Sequence, residues 1–456
     1  MQDLDKELLS NILDILISKN GDYSDIYYQD EDLFTFTIEN NKVKSLKVGS
    51  ERGLNLRYIK GDKTFSSSSS DFSPEVLKQI AVQIPVSMGN NIITSKKIVL
   101  PSDIINQENI SFSRRESLIN KFLACSESLK ARSEKIVQST FRYLTSVSDI
   151  LLVNSKNEVV FDRRKYSRFI VQIVAQDGNI IQTAYEGPGI TGNDDVMDVV
   201  GLEEITEKVA ERAIMMLTAK PAPTGRMPVV MMGEAGGTMV HEACGHSLEA
   251  DFIYKGTSNL KDKIGQKVAS ENVTVIDDAT VPGVYGSYEY DDEGVPAKRS
   301  VLIENGVLKS YMTDRLSAGL LGLELSGNGR RESFRSKPVP RMSNTFIEDR
   351  NMLAEEIVDT VDQGLLVKKM GGGQVNITNG DFVFEISEGY LIEKGKVKHP
   401  IRGASLIGNG IEVLKNIEMV GKDKMFMPGV CGKYDHVPVS DAQPTMRIAG
   451  LTIGGS

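Results

Sequence analysis

Helical and strand periodicity both stop at Lys220-Pro221-Ala222-Pro223-Thr224-Gly225, and this break limits the fold more than any other feature of the chain. Two prolines and a glycine within six residues deny the backbone a continuous helix and a central strand alike. Before the break, amphipathic helices alternate with runs of β-formers. After it, short β-runs punctuated by glycine dominate, with one clear helix directly after a strand at Pro228–Met232 and a second helix expected near 351–360. Helices segregated from mostly antiparallel strands indicate an α+β protein rather than an alternating parallel sheet.

At about 150 residues per domain, 456 residues suggest three units. Residues 1–110 read as an N-terminal α+β domain, 111–222 as a middle α+β domain, and 223–456 as a β-rich C-terminal domain. Within the first, Leu4, Leu8, Ile12 and Leu16 recur at helical spacing, and strands are expected at 23–29, 33–38, 42–48 and 53–59. Ser73-Pro74 reads as a helix start. The run Ser66–Ser70 reads as a polar strand or loop, and 87–110 as a connector. In the second, a helix over 113–133 precedes strands near 136–144, 148–154, 158–163, 168–176 and 179–186, and a helix over 202–218 closes the unit. In the third, Gly371-Gly372-Gly373 reads as a glycine bend or a place for a peptide to approach the backbone. The Asn-Gly pairs at 305–306, 379–380 and 409–410 mark hairpins or tight turns.

The charge balance, 53 basic against 62 acidic residues, gives −9 and disfavours a general binder of nucleic acid or anionic membrane. Three cysteines cannot build a disulfide framework, so a reducing, cytoplasmic setting is expected. No run approaches the roughly 20 apolar residues of a membrane helix. The start Met1-Gln2-Asp3-Leu4-Asp5 places acids before any apolar stretch, unlike a secretion signal.

Of the four histidines, His241, His246, His399 and His436, two fall in the hexapeptide His241-Glu242-Ala243-Cys244-Gly245-His246. Imidazoles that hold a cation, with a carboxylate beside them to take a proton from water, are the parts of a metal-dependent hydrolase. On a regular helix the histidines must be four apart to share a face. Here the spacing is five, which puts them roughly 140° apart at about 100° per residue. A single π-type turn absorbs one extra residue, so the spacing predicts a distorted helix, with Gly245 supplying backbone latitude. A third ligand is required for zinc, and Cys244, Glu249, Asp251, His399, Cys431 and His436 are all candidates. Glu249 and Asp251 are equally suited to orienting the imidazoles from behind.

In their order along the chain these residues resemble the TldD/PmbA family, in its TldD branch. The resemblance rests on His241–Asp251, Val275–Asp278 with Asp291–Gly294, Val301–Gly306, Gly327–Ser333 through Pro340–Thr345, Gly371–Gln374, Pro400–Gly410, and Val430-Cys431-Gly432 with Gln443–Ile448. It implies a zinc metallopeptidase acting on peptides or unfolded segments. Carried over residue by residue, it implies His241, His246 and Cys431 as metal ligands and Glu242 as the base that activates water. It also implies a PmbA/TldE-like paralogue as heterodimer partner, or a homodimer, and gives no ground for direct DNA binding. Three further residues, His436, Tyr311 and Arg331, are conceivable oxyanion donors. The alternative from another class is a non-catalytic binding or regulatory subunit of such a complex. An oxidoreductase fits less well, because no Gly-x-Gly-x-x-Gly follows a strand.

Overall fold

The computed structural model describes residues 6–18, 21–84, 112–376 and 378–455. The connector expected at 87–110 and the unit boundary at 110/111 lie outside them. Among the described residues no helix is long and apolar enough to cross a membrane.

The strand runs expected before residue 60 merge into two long strands, Tyr23–Glu39 and Lys42–Lys60. Polar Gln29–Asp32 continues the ladder opposite Gly53–Ser50, because backbone pairing needs no apolar side chain where a face is solvated. The two strands turn at Asn40 and Asn41, both left-handed at φ 47° and 61°, a conformation asparagine tolerates better than most residues. The serine run forms the edge strand Lys63–Ser69. Strands Ile136–Asn154, Val159–Asp177, Ile180–Glu186 and Gly189–Thr191 extend the same antiparallel sheet, with Tyr23–Glu39 paired directly to Ile136–Asn154. Strands from both sides of the expected 110/111 boundary therefore share one sheet.

Pleating sends alternate residues of Tyr23–Glu39 to opposite faces. Ile26, Tyr28, Phe34 and Phe36 pack under helices Lys6–Ile17, Pro74–Gln83, Phe112–Arg132 and Leu202–Met216. Tyr27, on the other face, packs with Ile150 and Leu152 of the neighbouring strand Ile136–Asn154 and with Phe334 of the C-terminal unit. There Arg57 reaches Glu293 at 2.6 Å, and Phe334 donates its N–H to Gln29 at 2.9 Å.

In the C-terminal unit the strand pairings close on themselves. Gly225–Met231 pairs with Gln363–Val375 in parallel and with Met446–Gly455 antiparallel; the circuit continues through Ala404–Asn409 and Asp381–Glu393 back to Gln363–Val375. Gly371–Gly373 lies within one of these strands, where the register against Asp381–Glu393 shifts, and is not a bend. Asn305-Gly306 turns the hairpin between Arg299–Glu304 and Val307–Leu308. Asn409 instead caps the helix Gly410–Lys415, accepting from the Glu412 N–H. Beside the closed circuit, a second sheet runs in the order Val307–Leu308, Arg299–Glu304, Val275–Asp278, Asn344–Ile347, His436–Gln443 and Met425–Gly432. Val229, Met231, Leu365, Val367 and Ile448 share one core with Met239, Val240, Ala243 and Leu248, which belong to the histidine segment.

Candidate metal centre

The strand Gly225–Met231 delivers the chain into a short helical segment buried in that core. One helical turn, Thr238–Val240, passes into a π turn over His241–Gly245, then into a 3-10 turn over His246–Leu248. The His246 N–H donates to the His241 carbonyl five residues back, which takes up the extra residue that the spacing required. The rings come to one side, with centroids 5.1 Å apart and planes nearly perpendicular. Gly245 acts differently from expectation. Its backbone is ordinary right-handed helix at φ −53° and ψ −57°, so no special latitude is used. What it provides is clearance, since a Cβ there would meet Met342 Sδ at 2.2 Å.

Cys431 arrives from the opposite end of the C-terminal unit. It sits in strand Met425–Gly432, opposite Val437. Its Sγ lies 3.3 Å from His241 Nε2 and 3.5 Å from His246 Nε2, and all three side chains are buried. Burial alone would raise the Cys431 thiol, but its contacts with His241 and His246 outweigh this and bring it down to about 5. Among the described residues these three are the group whose ligand atoms lie close enough to hold one ion.

Around them stands a polar shell. His246 Nδ1 lies 3.0 Å from Glu249 Oε2, and Lys433 Nζ reaches the same oxygen at 3.2 Å. Burial on its own would raise the Glu249 carboxyl, but Lys433 and His246 hold it down at about 2. Asp251 takes the other side of Lys433 at 2.6 Å, so it positions the lysine rather than an imidazole. Arg341, fully buried, donates to the Cys431 carbonyl and to Asp435, which anchors the strand that carries the thiol. Asp441 accepts the Gly237 N–H at 2.8 Å, and its charge acts on His241. Glu242 stays partly exposed, with Oε2 3.9 Å from His246 Nε2.

The remaining candidates stand elsewhere. The Cys244 thiol donates to the Val240 carbonyl at 3.2 Å, and burial pushes it up to about 12, the behaviour of a core thiol. His399 lies in strand Lys396–Arg402, and exposed His436 faces Glu332; neither joins the cluster. Tyr311 donates to the Leu260 carbonyl and Arg331 to the carbonyls of Ser336 and Asp292, so both act as structural donors. Asp441, Arg341 and Lys433 escape sequence reading, because an ordinary charged residue in or beside a strand carries no spacing signal.

Comparison with known proteins follows the same lines. Family models described as the PmbA/TldA metallopeptidase C-terminal domain, domain 1 and central domain match residues 224–455, 24–83 and 108–217. A protein of Buchnera aphidicola from Acyrthosiphon pisum, named a metalloprotease TldD homolog, is 34% identical, covering 97% of this chain and 95% of its own. Its namesake in Haemophilus influenzae is also 34% identical, over 99% and 97%. The crystal structure of TldE from Thermococcus kodakarensis superposes with a TM-score of 0.74 at 21% identity, covering 98% of this chain and all of that one, which shows the shared fold. With matches of this extent along its whole length, the chain belongs to the PmbA/TldD metallopeptidase family.

Proposed function

We propose that this chain is a zinc-dependent peptidase of the His-Glu-x-x-x-His type, hydrolysing peptides or unfolded polypeptide segments. The observation that carries this reading is the convergence of two imidazole nitrogens and one thiol sulfur in a buried pocket beside a carboxylate that solvent still reaches. Nitrogen and sulfur donors suit zinc, and three protein ligands leave a fourth position open, as catalytic sites do. When bound, the ion supplies Lewis-acid polarisation of a carbonyl and a lowered pKa for water. Glu242 accepts the proton of the attacking water at its carboxylate and hands it to the leaving amine. Glu249 accepts from His246 Nδ1 and so turns Nε2 toward the Cys431 sulfur.

The reading extends to the setting. Cys125, Cys244 and Cys431 are all free, which suits a reducing cytoplasm. The family resemblance supports work beside a PmbA/TldE-like paralogue, or as a homodimer, without direct nucleic-acid contact. Glu242→Gln is the test. Peptide cleavage is expected to fall about 10²- to 10⁴-fold with zinc content unchanged. Cleavage equal to that of the unsubstituted chain would leave a non-catalytic binding or regulatory subunit as the better account.

A further inference from the structure

A cavity of about 210 Å³ opens where the first sheet meets the metal centre. Arg168, Tyr185 and Glu186 line it from the sheet, Lys369 from the closed strand circuit, and Thr238 and Asp441 from the surroundings of the histidine segment. Thr238 precedes His241 by three residues, and the charge of Asp441 acts on both His241 and Arg168. A chain lying across the metal centre therefore has this space beside it.

The charges in the cavity are unequally matched. Glu186 is held by Lys369 at 3.0 Å and by Arg212 at 2.8 Å, and Asp441 holds the Gly237 N–H. Among the described residues Arg168 has only a long bond from Nε to the Gly187 carbonyl, 3.3 Å, and the ring of Tyr285 at 5.8 Å. Among the described residues no carboxylate pairs with it, and neither Nη atom has a hydrogen-bond partner. Burial lowers its pKa by more than the nearby Tyr285, Tyr185 and Asp441 raise it. Gly187 leaves it room, since a Cβ there would come within 3.0 Å of Nη2. A guanidinium with its fork of N–H donors unused is shaped for a carboxylate.

We propose that Arg168 binds a carboxylate of the peptide substrate, making this cavity a subsite for an acidic group beside the scissile bond. The proposal rests on the peptidase reading above and supplies its substrate class. The carboxylate comes either from the peptide's C-terminus or from an Asp or Glu side chain, and three probes separate the two: tetra-alanine as free acid, tetra-alanine amide, and Ala-Ala-Asp-Ala amide. Binding is measured by calorimetry on the zinc-loaded Glu242→Gln chain, with and without Arg168→Gln or Arg168→Lys, and cleavage on the otherwise unsubstituted chain. One of the two acids is expected to bind about ten- to a hundredfold tighter than the plain amide. Arg168→Gln should erase that preference and Arg168→Lys keep part of it. The free acid as the tight binder identifies the chain terminus, and the Asp peptide identifies the side chain. Equal binding of all three, or equal weakening of all three by Arg168→Gln, overturns the subsite. Zinc-dependent cleavage alongside equal binding would sink the subsite and leave the peptidase standing. Selective binding without any zinc-dependent cleavage would do the reverse.

Discussion

Glu249 shows how much of the candidate centre depends on residues that never face a substrate. It is fully buried between His246, Lys433 and Arg341, and it fixes which His246 nitrogen looks toward Cys431. Glu249→Gln keeps the shape but removes the charge. It should weaken zinc retention or activity about 10- to 100-fold, read by competition with a chelator. Unchanged retention and unchanged activity together would show that His246 needs no such support. At this scale the sequence was legible in part. His241, Glu242 and His246 stand out because they are close along the chain and chemically unusual. Spacing left Cys244 and Cys431 as equal candidates for the sulfur, and only the family resemblance favoured the second. The reason is physical: His241 and Cys431 meet across 190 positions of chain, a contact no local pattern encodes.

Among the elements, the π turn is the one that local arithmetic could read. Five-residue spacing either separates the imidazoles or forces the helix to widen, and the helix widens over His241–Gly245. Its packing was not legible, because the neighbour that makes Gly245 necessary is Met342, almost a hundred residues away. Gly245→Ala should destabilise the fold by about 1–3 kcal/mol through overpacking, as measured by denaturant unfolding. Met342→Ala in the same chain should recover part of that loss. A double variant no more stable than the sum of its parts would deny that this contact is the cause. Strand lengths show the complementary failure. Polar stretches such as Asp30–Asp32 looked like breaks, yet the ladder runs through them, since pairing is set by the partner strand.

At the scale of the whole molecule, the α+β class was readable from the segregation of helices and strands, whereas the single sheet spanning residues 23–191 was not. Its far face is joined to the C-terminal unit by buried ion pairs, Arg57 with Glu293 and Arg164 with Asp292, and close by, within the C-terminal unit, buried Asp314 caps helix Arg315–Leu321. Burial first, and neighbouring Glu293 second, raise the Asp314 carboxyl to about 7. The folded chain therefore keeps a proton there that the unfolded chain releases near pH 4, so the contribution of this one group to stability falls as pH rises from about 4 to about 7 and is level beyond. Asp314→Asn, which can still accept the Ser317 N–H, should be more stable than the unsubstituted chain at pH 8, by up to a few kcal/mol. The difference should shrink towards pH 4. Unfolding followed at both pH values checks this, and a difference that does not change with pH would contradict it.

The claim beneath all of this is that His241, His246 and Cys431 hold one zinc ion between them. X-ray absorption at the zinc edge on the metal-loaded protein tests it most directly. The account predicts a single sulfur at about 2.3 Å with nitrogen and oxygen at about 2.0–2.1 Å, the sulfur lost in Cys431→Ser and kept in Cys244→Ser. A sulfur that survives Cys431→Ser, or a zinc ion ringed by nitrogen and oxygen alone in the unsubstituted chain, would contradict it.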